Sequence, residues 1–242
     1  MHINEGMIVI APEDKKLISK YLNDMKKYVN SLFILTDNDG YTRNISIDSE
    51  KLCDLMIEKS KNISDNFGFY MYYYFNFNTS TSGKYTKDEK TISINLSKCS
   101  GFTISKNGEF GCYSVDFKKL AVILLHEFIH YVQDVLRSEK EGEYDIPSNW
   151  GGNDKYWKRP WEQQAWASGY LEKLKQELKI KKPEKMLSQL RKMGVLHDND
   201  LNKLKTSDYK SWKAIMKNAI ALAIADVEDG KPLPWQKPFN LP

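Results

Sequence analysis

Three ionisable side chains interrupt an apolar run, Leu120 to Val132 (LAVILLHEFIHYV), and together they spell His126-Glu127-Phe128-Ile129-His130. On a helix, residues four apart stand one turn apart on the same face. Both imidazoles can therefore meet one metal ion. Glu127, about 100° further round the helix than His126, can reach a water on that ion and act as its general base. Zinc is the expected cation, since it takes neutral imidazole and keeps a position for water beside three protein ligands. H-E-x-x-H is short enough to arise by chance, but its setting gives it weight. Two His and a Glu among Leu, Ile, Val and Phe are costly to bury unless paired or bound to metal.

A catalytic zinc site takes a third protein ligand. The chain has four His; His2 is near its start, and His197 falls between Gly194 and Asp198 in an expected loop. The longer metzincin pattern fails, because Gln133 stands where its Gly should be and Leu136 where its third His should be. A carboxylate is the better choice, and Glu162 is the one selected. It lies 32 residues beyond His130, behind a loop that lets the chain turn back. Pro160 suits the first turn of its helix. Ala165 and Gly169, one and two turns on, leave room for close helix packing. The bland alternative for Glu162 is a favourable interaction with the helix dipole. Asp134 competes as ligand, but it sits one further turn along the helix of His130, too far along the axis. It suits better a partner for an imidazole N–H.

The elements that must position these groups follow from periodicity and turn signals. A first helix opens at Pro12-Glu13-Asp14 and carries Leu17, Tyr21, Leu22, Met25 and Tyr28 at helical spacing. Asp37 to Gly40 is a turn, and Asp48 or Ser49 caps a second helix. Phe67 to Phe77 (FGFYMYYYFNF) favours strand; a base-stacking platform is the rival use of such aromatics, and the segment's lack of Arg or Lys argues against it. Thr91 to Leu96 alternates Ile92, Ile94 and Leu96 with Thr91, Ser93 and Asn95, a half-exposed strand. A Gly/Ser-rich loop with Gly101, Gly108 and Gly111 is expected next. The metal helix then starts between Ser114 and Phe117 and runs to about Arg137. Beyond the Pro160 helix come a shorter one from Pro183 and another from Ser207 to about Val227. Gly230 to Pro242 holds four of the eight prolines and reads as an extended strap behind a single domain spanning 1–229.

Composition sets the outer limits. With 242 residues, 41% hydrophobic and 28% charged, the chain suits a globular protein with a sizeable core. A net charge of +4, thinly spread, does not announce a nucleic-acid surface. Cys53, Cys99 and Cys112 are odd in number and lack a C-x-x-C, which fits a reducing compartment rather than a disulfide framework. No signal peptide is visible, and the longest apolar stretches are too short for a bilayer. The expected location is cytoplasmic, or inside a particle.

His126-Glu127-x-x-His130 followed by a downstream Glu resembles the gluzincin branch of zinc metallopeptidases. Arg159 to Ala165 (RPWEQQA) resembles the stretch after the zinc helix in small metallopeptidase-like proteins of phages and bacteria. The resemblance covers roughly residues 91 to 175. It implies an α+β, zincin-like fold: a small antiparallel sheet, with its edge strand near 91–96 packed on the zinc helix, and several C-terminal helices. It further implies Zn2+ on His126, His130 and Glu162, Glu127 as general base, and a peptide or protein substrate aligned on the edge strand. Such enzymes often steady the oxyanion with a His or Tyr, for which Tyr156 and His197 are the candidates. The rival from another class is a metal-stabilised structural protein, such as a virion component; it has no use for a general base beside the ion.

Overall fold

The computed structural model describes residues 7–10, 12–36, 39–104, 110–138, 159–180, 185–186, 188–189, 199–227 and 236–239. The chain is α+β, built from small, mostly antiparallel sheets and several helices. It divides into two compact units, one of Glu13–Glu127 and one of Met1–Pro12 with Phe128–Leu241.

In the first unit, helix α1 (Pro12–Leu32) has Glu13 and Asp14 in its opening turn and buries Ile18, Tyr21, Met25 and Val29 along one stripe. Strands β2 (Ile34–Thr36) and β3 (Thr42–Asn44) pair antiparallel on either side of the expected turn. Strand β4 (Ile47–Asp48) leads into α2 (Ser49–Lys59), and Asp48 Oδ1 accepts the Lys51 N–H at 2.9 Å, an N-cap as its residue type suggested. Helix α3 (Lys61–Phe67) follows, so the aromatic segment begins as helix and continues as strand β5 (Tyr70–Tyr74).

Strands β6 (Gly83–Thr86) and β7 (Thr91–Asn95) complete a three-stranded sheet of order β5-β7-β6. Met71, Tyr73, Ile92 and Ile94 stand opposite one another in register and are buried, so this face packs on the core. A chain of hydroxyls closes it. Ser60 Oγ donates to Met56 O at 2.7 Å, which commits its proton. Tyr21, 2.7 Å away, therefore donates to Ser60, and Tyr73, at 2.6 Å, donates to Tyr21. Burial pushes the Tyr21 phenol up to about 12 and the Tyr73 phenol well above its ordinary value.

Two expectations need correction. The strand at 91–96 is not an edge: β7 lies between β5, parallel to it, and β6, antiparallel to it. Alternation reveals which face of a strand is buried but says nothing of its neighbours. Gly101 and Gly111 do not lie in a loop either, for β8 (Ser100–Ile104) pairs antiparallel with β9 (Phe110–Val115), which also pairs with β4; Gly108 lies outside the described residues. Gly101 belongs there because a Cβ on it would lie 2.6 Å from both Ser114 Oγ and the Tyr113 ring, where the register shifts by a bulge.

Helix α4 (Phe117–Ser138) contains the boundary between the units. In the second unit, α5 (Pro160–Glu177), α6 (Asn199–Ser207) and α7 (Tyr209–Val227) share a core that includes Tyr170, Leu174, Leu204, Trp212, Ile215 and Ala219. Strand β1 (Met7–Ile10) pairs in parallel with β10 (Gln236–Phe239), so part of the expected strap is a sheet strand; the rest of 230–242 lies outside the described residues. Most of the helix expected from Pro183 also lies outside them, although Met186 is buried in the core. Among the described residues no helix is long and apolar enough to cross a membrane.

Candidate metal centre

Helix α4 is started by Asp116, whose Oδ1 accepts the N–H groups of Lys118 at 3.0 Å and Lys119 at 3.2 Å. Its apolar side chains, among them Leu120, Leu124, Phe128 and Val132, are buried and fix the helix's rotation. His126 and His130 thereby stand one turn apart. Pro160 starts α5, which places Glu162 in the first turn, where a carboxylate also meets the positive end of the helix dipole.

His126, His130 and Glu162 each offer one ligand atom, and these atoms lie within 4.8 Å of one another. Among the described residues this is the one such group that could hold a metal ion. His130 Nε2 lies 3.4 Å from Glu162 Oε2. Two donors at zinc-ligand distances of about 2.0–2.2 Å around a tetrahedral centre stand about 3.3–3.6 Å apart, so this pair already has the right separation. Two imidazoles and a carboxylate are also the donor set of a catalytic rather than a structural zinc site. The residues fit the ion.

Glu127 is 6% exposed and does not belong to the ligand group. It faces β6, where a Cβ on Gly83 would lie 2.6 Å from Ile123 Cγ2 and 2.8 Å from Glu127 Oε1. Only a glycine lets this strand approach so closely. Tyr74 is near enough to feel the carboxylate: its phenol is raised by burial first and by the Glu127 charge second.

Behind His130 is an amide arrangement that residue types alone did not disclose. Gln133 Oε1 lies 2.9 Å from His130 Nδ1, while Gln133 Nε2 donates to Trp161 O and to Gln164 Oε1, each at 3.1 Å. Gln133 and Gln164 are both buried. The signal was present in the spacing: Gln133 is three residues beyond His130 and so on the same helix face.

Asp134 is buried but is not among the grouped ligand atoms, and its charge helps to raise the Tyr131 phenol after burial has done so first. Tyr156 and His197 lie outside the described residues. Comparisons of the chain with protein-family models, curated proteins and solved structures return no match.

Proposed function

We propose that the protein is a zinc-dependent peptidase of the gluzincin kind, with His126, His130 and Glu162 as metal ligands and Glu127 as general base. The observation that carries this reading is the meeting of a two-His, one-carboxylate donor group with an adjacent buried Glu that the donor group does not use. A structural site has no need of that second carboxylate.

Zinc held by the three ligands would supply a polarising charge for the scissile carbonyl and acidify a water. Glu127 takes the proton from that water and delivers it to the leaving amine nitrogen. Its burial against β6 keeps bulk water from competing for the carboxylate. Since β7 is central, substrate alignment passes to β6, which is an edge strand among the described residues and lies against Glu127. An extended peptide adds to that edge through backbone hydrogen bonds, on the strand that Gly83 brings against the general base.

Metal content by mass spectrometry, paired with cleavage of a mixed peptide library, tests the proposal. The wild type should bind zinc stoichiometrically and cleave. Glu127→Ala should keep the metal and lose cleavage by about 100- to 10,000-fold. Glu162→Ala should lose the metal itself. A wild type that takes up no zinc even after reconstitution would remove the peptidase reading. Zinc without cleavage of any library peptide would favour the structural alternative.

A further inference from the structure

We propose that Gln133 is a positioning residue that locks His130 in its Nδ1–H tautomer, so that Nε2 is the atom presented as ligand. This rests on the metal reading of the site, but its first step stands on hydrogen-bond chemistry alone.

The Trp161 carbonyl fixes which way the Gln133 amide is turned. Trp161 O can only accept, so the Gln133 side-chain atom 3.1 Å from it is the amide nitrogen. The second amide hydrogen goes to Gln164 Oε1, also at 3.1 Å. With both hydrogens used, the atom facing His130 is Gln133 Oε1, and at 2.9 Å it needs a proton from the imidazole. That proton sits on Nδ1. Nε2 then points at Glu162 Oε2, 3.4 Å away, on the side where the metal ligands gather.

The same amide joins two ligand-bearing helices. One end fixes the ring of His130 on α4, and the other holds the Trp161 carbonyl, one residue before Glu162 on α5. Tautomer and ligand spacing are therefore set by one side chain. An apolar residue of the same length would leave the imidazole free to take either tautomer and the Trp161 carbonyl without this donor.

Histidine-labelled full-length protein, metal-free and at mildly alkaline pH, reports the tautomer directly by long-range proton–nitrogen NMR. There are four histidines, and a His130→Asn variant identifies the signals of His130. Wild type should give the Nδ1–H pattern; an Nε2–H pattern overturns the proposal without any Gln133 variant. Gln133→Met should give a mixed or reversed pattern and weaken zinc binding, measured by chelator competition, about 10- to 100-fold. Gln133→Glu, which restores an acceptor for Nδ1–H but no donor for the Trp161 carbonyl, should recover the tautomer and only part of the affinity. Unchanged tautomer and affinity in Gln133→Met would also overturn it. A wild type that binds no zinc but holds the Nδ1–H tautomer would refute the peptidase reading and leave the lock standing.

Discussion

Gly83→Ala is the sharpest test of how β6 and α4 are fitted together. The added Cβ would stand 2.6 Å from Ile123 Cγ2, 2.8 Å from Glu127 Oε1 and 2.9 Å from Glu127 Cγ. Carbon atoms pack best at about 3.5–4.0 Å, so the strand, the helix or the Ile123 and Glu127 side chains must shift by about 1 Å. Overpacking of this kind costs about 1–3 kcal/mol. At about 2–4 °C per kcal/mol for a chain of this size, thermal unfolding should come about 2–12 °C earlier. The function should suffer more than the stability. Misplacing a catalytic group by about 1 Å costs about 100-fold in rate, and Glu127, the proposed general base, is the group pushed. Zinc content should not change, because the new methyl meets none of the three proposed ligands among its nearest atoms. Differential scanning calorimetry, metal analysis and library cleavage on one preparation separate these effects. A variant with wild-type melting and wild-type rate would refute the close fit, and loss of zinc would mean that β6 supports the ligands rather than the base.

Two further outcomes follow from the first unit. The Tyr21 phenol is raised from 10.0 to about 12 in the fold, so above its ordinary value the unfolded chain loses this proton more readily than the folded one. The associated stability is whole below that ordinary value and is lost as pH rises through about 12, to the extent of about 3 kcal/mol. Denaturation curves of Tyr21→Phe against wild type across that window should converge; parallel curves would contradict the burial of the phenol. Asp48→Ala removes the acceptor for the Lys51 N–H and should destabilise by about 1 kcal/mol in urea titration, with no change in metal content.

The grouping of His126, His130 and Glu162 could be read from the sequence because each part depends on local geometry. His126 and His130 share a helix face by spacing alone, and Pro160 announces the helix that carries Glu162. Asp48 as a cap is local for the same reason. What the sequence concealed is what depends on partners. Ile92 and Ile94 mark a buried face, yet nothing in TISIN tells that strands lie on both sides of it. Gly101 looked like a chain breaker because close strand approach and loop flexibility call for the same residue. Gln133 shares a helix face with His130 by spacing, but its amide becomes informative only when its acceptor, the Trp161 carbonyl, is known.

The pairing of β1 with β10 bears on how the protein is made. One unit is a continuous stretch, Glu13–Glu127, while the other takes its first strand from before that stretch and its partner strand from the far end of the chain. During synthesis the continuous unit has all its residues early and folds as they emerge. Met7–Ile10 must wait, with its edge unpaired, until Gln236–Phe239 has been translated. Contacts between such distant segments form slowly, because a long chain must close before they are rewarded. Ribosome-bound chains truncated before Gln236 should therefore display a folded Glu13–Glu127 and an exposed N-terminal strand, the species most open to chaperones and to aggregation.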